Sequence, residues 1–303
     1  MSELFTLFFD NLFPILLAAI IGFALAKWLN INPRALSQVV FYVFSPILVF
    51  RLITNSQVSN QDILRTLVIA VILMLVIGLL TWLISKILRF ERKMMSAVII
   101  TAIFMNAGNY GLPLTSFAFG DQALAFASVF FVMNAMFTNT VGIVIASSGS
   151  TSVLNAIKGL LKYPAIYSLV IGILFLQFGW QLPSGFDRTV TLLSNAAIPC
   201  MLVLLGMQLV NIHLDGHIKP LILTSSMRLL IAPALAIGIT RLFGLSGPAY
   251  QAVVIEAAMP VAVLTTILAT EFDTEPTFVT TAVLVTTLLS PFTLTPLLAF
   301  LGA

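Results

Sequence analysis

Residues 106–113 read Asn106-Ala107-Gly108-Asn109-Tyr110-Gly111-Leu112-Pro113, in the middle of an apolar segment running from about Met94 to Phe119. The segment is long enough to cross a bilayer, which takes roughly 20 apolar residues. Two Asn, two Gly and a Pro at its midpoint work against a continuous helix. Gly108 and Gly111 loosen the backbone, and Pro113 lacks the N–H that a helix interior needs. The stretch therefore predicts a break in a membrane helix. Backbone groups freed at such a break find no partner in lipid, so the break must face protein or a water-filled cavity. Asn106 and Asn109 bring amide donors and acceptors to it.

The rest of the chain suits that reading. It has 303 residues, is 60% hydrophobic and only 8% charged, against about 25% charged in a soluble domain. An all-α, polytopic membrane protein follows, with the lipid bilayer as its surroundings. The +3 net charge then bears on topology, and no nucleic-acid partner is expected. Cys200 is the single cysteine and forms no internal disulfide. No Lys or Arg precedes Lys27, so the first apolar segment lacks a signal peptide's basic start and is expected to be retained.

Ten apolar segments can be read between polar breaks: 4–27, 34–53, 63–88, 94–119, 122–146, 161–178, 189–210, 218–243, 248–270 and 277–301. Ser147–Ser152 is rich in Ser and Gly and separates two halves, 1–152 and 153–303. With the N-terminus outside, Lys27, Arg34, Lys86, Arg89, Arg92, Lys93, Lys158, Lys162 and Lys219 fall on the inner side. Arg51, Arg65, Arg188 and Arg241 fall on the outer side. Basic residues are retained on the cytoplasmic side, so both termini are expected outside.

The halves share landmarks in the same order. Phe13-Pro14 and Gly22 match Tyr163-Pro164 and Gly172. Ser45-Pro46-Ile47-Leu48 matches Ile198-Pro199-Cys200-Met201, and Met105-Asn106 matches Met259-Pro260. Five segments per half is odd, so the two copies have opposite orientation, as inverted five-helix repeats. Broken helices four and nine then cross near the midplane, where carriers of this construction bind their substrates. Half-helix N-termini meeting there carry partial positive charge and free N–H groups, which favour an anion.

Arg228 and Glu256 lie inside the eighth and ninth segments. Buried charge in a membrane segment is a functional candidate, so both are candidates for a charge or ion-coupling role. For Arg228 the alternative is a structural pair or a snorkelling side chain. Glu256 reads equally as a proton carrier or as a neutral acid holding a hydrogen bond. Asn134, Thr138 and Asn139 in the fifth segment, and Thr286, Thr287 and Ser290 in the tenth, either line a cavity or join helices. His213-Leu214-Asp215-Gly216-His217 lacks the Cys or Glu that would complete a metal site, so no metal and no other cofactor is expected. Nor do the segments hold a set of residues for catalysis.

The Asn-x-Gly-Asn-Tyr-Gly-Leu-Pro break, the Met259-Pro260 break and the ten segments together resemble the auxin efflux carrier family. That family includes the plant PIN-FORMED carriers and bacterial organic-acid carriers, and the likeness covers essentially the whole chain. It implies a fold like those of bile-acid symporters and NhaA-type antiporters. Helices one, two, six and seven would be a scaffold, often dimeric; three to five and eight to ten would be a transport domain moving like an elevator. It implies small organic anions, of the malate, malonate or lactate class, as substrates. Asn106, Asn109, Pro113 and Pro260 are the residues carried over by motif, and Gly108, Tyr110 and Met259 belong to the same two breaks. A bacterial inner-membrane carrier, active or facilitative, is expected, with H⁺, Na⁺ or no coupling ion. A cation or proton antiporter of the same fold and a membrane sensor are the rival readings.

Overall fold

The computed structural model describes residues 2–55, 58–147, 163–210 and 216–303. Among them the regular structure is helical, and the one bridge between extended residues joins Met105 to Val261. Seven helices are long and apolar enough to cross a membrane: α1 (Glu3–Trp28), α2 (Pro33–Asn55), α3 (Asn60–Ile87), α5 (Ala107–Ala146), α7 (Ser184–Gln208), α8 (Ile218–Leu242) and α11 (Pro276–Leu301). The shorter ones are α4 (Arg92–Ile103), α6 (Pro164–Phe178), α9 (Gly247–Ala257) and α10 (Leu264–Glu271). The long helices make this a multi-pass membrane protein.

Three of the ten expected segments are not single long helices, for local reasons. The fourth divides into α4, an extended linker at Phe104–Asn106 and the first arm of α5. The ninth divides into α9, a linker over 258–263, and α10. The sixth, α6, has only 15 residues. Helix α5 is itself bent at Gly120, whose φ of 72° is one that glycine adopts readily. That bend separates the fourth expected segment from the fifth. Pro113 sits in the first turn of the α-helical stretch Leu112–Phe137 that follows the π-helical turn of α5, a position proline favours. It opens the helix beyond the break.

Two pairs of helices cross closely. Helix α1 runs along α7, and α6 along α2. At the first crossing a Cβ on Gly206 would lie 1.7 Å from the carbonyl oxygen of Ala19, and one on Gly22 would lie 1.9 Å from that of Val203. Backbones this close need glycine on both sides, as at other membrane-helix contacts. At the second crossing Gly172 packs against Ile53 and the carbonyl of Phe50. Between these pairs and α3, α8 and α11 lie the two linkers, with Phe104, Met105, Tyr110, Met259 and Val261 buried around them.

Among the described residues five turns have π-helical geometry, each fitting one extra residue into its helix: Phe8–Leu12, Val40–Phe44, Ala107–Gly111, Thr138–Gly142 and Met227–Ile231. Such turns often mark functional sites, and three of them border the cavity described next.

Candidate binding site at the crossed breaks

The two linkers pair as short antiparallel extended segments. Asn106 N–H donates to the Pro260 carbonyl over 2.8 Å, and Ala262 N–H donates to the Phe104 carbonyl over 3.0 Å. Val261 N–H donates to Thr286 Oγ1 over 3.1 Å. The backbone groups released by each break are thus satisfied largely by the other, as a membrane interior requires. Each break thus helps to fix the other's position.

The ends of the half-helices then sort by sign. The C-terminal ends of α4 and α9 converge on Arg228. Its Nη1 donates to the Ala102 and Ile103 carbonyls over 3.0 and 3.1 Å, and its Nη2 donates to the Ala257 carbonyl. Helix C-termini carry partial negative charge and unpaired carbonyls. One guanidinium answers both, which accounts for a wholly buried arginine. The N-terminal ends of α5 and α10 face the other way, into a cavity of about 130 Å³.

Asn106, Gly108 and Asn109 line that cavity from the first break, and Ala262, Val263 and Leu264 from the second. Asn134 and Thr138 line it from the second arm of α5. The facing wall is Ser37, Phe41 and Ser45 of α2, with Met201, Leu204 and Gln208 of α7. Asn134 Nδ2 donates to the Met105 carbonyl over 3.0 Å, which holds the linker extended. Asn106 Nδ2 and Asn134 Oδ1 are buried without a hydrogen-bond partner among the described residues. The cavity wall therefore offers one open donor and one open acceptor. Asn109 Nδ2 donates to Gln208 Oε1 over 3.1 Å, joining the break to α7. Among the described residues no Asp, Glu, Lys or Arg lines this cavity.

Other residues expected at the site sit behind the wall. Tyr110 is buried, with its hydroxyl accepting from Ser290 Oγ at 3.1 Å. Pro113 and Met259 are buried outside the cavity lining, and Pro260 takes part through its carbonyl. Asn139 turns its amide back to the Ala135 carbonyl, 2.8 Å away. Glu256 is fully buried between α9 and the first arm of α5. Thr115 Oγ1 donates to its Oε1 over 3.4 Å, while Oε2 has no partner among the described residues. A Cβ on Gly111 would lie 2.2 Å from that Oε2, so Gly111 makes room for the carboxylate.

Sequence reasoning missed Gln208, Ser37, Ser45, Phe131 and Tyr163 as lining residues. Ser45 and Tyr163 were legible only as parts of repeated motifs. The His213–His217 loop lies largely outside the described residues, and among these no cluster of metal-binding side chains occurs.

A multi-pass helical protein whose two broken helices enclose a small cavity with a few polar groups in its wall has the build of a membrane transporter. The model of a family described as "Membrane transport protein" matches residues 7–156 and 151–298, and the chain belongs to that family, the auxin efflux carriers. An uncharacterized transporter of Methanothermobacter thermautotrophicus is 26% identical over 93% of this chain and 94% of its own length. Another, of Methanocaldococcus jannaschii, is 26% identical over 86% of each chain. Auxin efflux carrier component 8 of Arabidopsis thaliana is 26% identical over 43% of this chain and 37% of its own. The protein is a transporter and not an enzyme.

Proposed function

We propose that this protein is a secondary carrier of small organic anions, the malate, malonate or lactate class, working by alternating access. The observation that carries the reading is the cavity at the N-terminal ends of α5 and α10. Oriented N–H groups and helix dipoles at such ends attract anions, and among the described residues no acidic one lines the wall to repel an anion. The open amide of Asn106 supplies a directional donor for a carboxylate. At about 130 Å³ the cavity is well below the roughly 300–1,000 Å³ that holds a drug-sized ligand. That favours anions of a few heavy atoms over the ring-bearing auxin in the plant relative's name.

The mechanism we infer is an elevator. Helices α1, α2, α6 and α7 pack on one another, as expected for a scaffold that also forms a homodimer. The two breaks, with α3, α8 and α11, move as the transport domain. The reciprocal pairing of residues 104–106 with 260–262 supports ten spans arranged as two inverted repeats. So do the matched crossings at Gly22 and Gly172. The basic-residue distribution supports both termini outside a bacterial inner membrane. Coupling to protons, to Na⁺ or to no ion is compatible with the site; Glu256, in contact with Gly111 of the break, is the group through which a proton would act.

Uptake of labelled lactate, malate and malonate into proteoliposomes, with and without H⁺ and Na⁺ gradients, tests the proposal. Saturable uptake of at least one anion is expected. Exchange of Na⁺ for H⁺ without anion uptake would instead support an antiporter.

A further inference from the structure

A second cavity, of about 550 Å³, lies along the same groove, on the other side of Pro46 and Pro199. On α2 the lining passes from Ser45 in the first cavity to Leu48 in the second, and on α7 from Met201 to Ile198. Three residues of helix rise about 4.5 Å, so the two cavities adjoin, separated by the level of the matched prolines. The second cavity holds a cation. Arg51 Nη1 donates to Ser194 Oγ over 2.8 Å and to Asn195 Oδ1 over 2.6 Å, both neutral partners. Among the described residues the ion pairs are Arg65–Asp62 and Lys93–Asp273, so no carboxylate pairs directly with Arg51. The α5 wall contributes the hydroxyl of Ser116, the amide of Gln122 and the exposed carboxylate of Asp121.

We propose that Arg51 forms a second anion-binding subsite, selective for singly charged carboxylates, at the mouth of the groove opposite the crossover cavity. This deepens the carrier reading and rests on it for its role in transport. A guanidinium presents paired N–H donors that fit a carboxylate. The Ser116 hydroxyl and the Gln122 amide on the facing α5 wall offer donors for the remaining carboxylate lone pairs. Asp121 in the same cavity adds a negative charge that repels a second carboxylate on the ligand. An anion caught here stands about one helical turn from the prolines that divide the two cavities.

Phenylglyoxal modification of the purified full-length protein reads Arg51 directly, by mass spectrometry of its peptide. Lactate is expected to slow modification of Arg51, malonate to slow it less, and glycerol to leave it unchanged. The same protection is expected in Asn106→Ala, because the subsite is separate from the crossover. Unchanged modification with lactate, or equal protection by malonate, overturns the proposal. Protection without uptake of any carboxylate leaves the subsite standing and removes the carrier reading; uptake without protection removes the subsite alone. In proteoliposomes Arg51→Gln should raise the KM for lactate about tenfold, the loss of one charge-assisted hydrogen bond. The double change Ser194→Ala, Asn195→Ala removes the same contacts to α7 but keeps the cation, so its KM should stay within about twofold. An equal rise in both variants would show that Arg51 only ties α2 to α7, and would overturn the proposal.

Discussion

Asn106 donates its backbone N–H to the carbonyl of Pro260 over 2.8 Å, while its side-chain Nδ2 is buried at the cavity with no partner among the described residues. The backbone of this residue holds the crossover together, and its side chain is free for something else. The two roles separate by mutation.

Asn106→Ala keeps the N–H and removes only the open amide. A hydrogen bond to a charged group is worth about 1.5 to 3 kcal/mol, so anion affinity should fall roughly ten- to hundredfold. The melting temperature should change little, because Nδ2 satisfies nothing in the protein. Binding titrations beside a melting curve check this. Normal affinity with a lowered melting temperature would remove Asn106 from the site.

The break itself was legible in the sequence because Gly, Asn and Pro are costly inside an apolar helix and so stand out against it. The prolines at 46 and 199 were legible as matched landmarks of the two halves. The lining roles of residues such as Gln208 and Tyr163 were not. In an almost wholly apolar chain the lipid face and the protein face carry the same residue types, so periodicity does not say which way a side chain points. The π-helical turns at 40–44 and 138–142 shift the faces further and have no composition of their own. Tyr110 illustrates the limit: one residue beyond Asn109, it faces Ser290 in the core. Depth alone identified Arg228 as buried. Its partners are backbone carbonyls, which a sequence does not display.

Arg228→Met should destabilise the fold. It leaves the carbonyls of Ala102, Ile103 and Ala257 without their shared donor. Buried acceptors left unpaired cost about 1 to 3 kcal/mol each. Losing the arginine's own desolvation cost offsets part of this, so a net loss of roughly 3 kcal/mol is expected. Arg228→Lys keeps the charge but cannot span both helix ends, and should fall between. Thermal melting of the purified variants reads the order wild type, Lys, Met; equal stability of all three would show that the clamp is dispensable.

Gly206→Ala should loosen the crossing of α1 and α7. The added methyl meets the Ala19 backbone at 1.7 Å, and a backbone cannot rotate aside as a side chain does. Overpacking of this kind costs roughly 1 to 3 kcal/mol. Gly238→Ala is the control, since nothing lies within 4 Å of its Cβ position. A lowered melting temperature is expected for the first variant and not for the second.

The orientation is testable by labelling single cysteines at Ser2 and Ser150 in a Cys200→Ala background. An impermeant maleimide added outside should label position 2 and not position 150. The reverse pattern would invert the topology.

Gln208 and Asn109 give a prediction about motion. Their 3.1 Å hydrogen bond joins α7, in the proposed scaffold, to the break, in the proposed transport domain. If those bodies slide past each other, the bond exists in this conformation and not in the other. Gln208→Ala removes a neutral hydrogen bond worth about 1 kcal/mol, which should shift the equilibrium about fivefold away from this state. Asn109 keeps its place at the cavity in that variant, so intrinsic binding should survive while the balance between the two facings changes. Cysteine accessibility at Ser45, on the cavity wall, measures that balance in the Cys200→Ala background. A change in labelling rate at Ser45 on adding Gln208→Ala is expected. An unchanged rate, with unchanged transport, would mean that α7 and the break move together, and that the boundary of the moving body lies elsewhere.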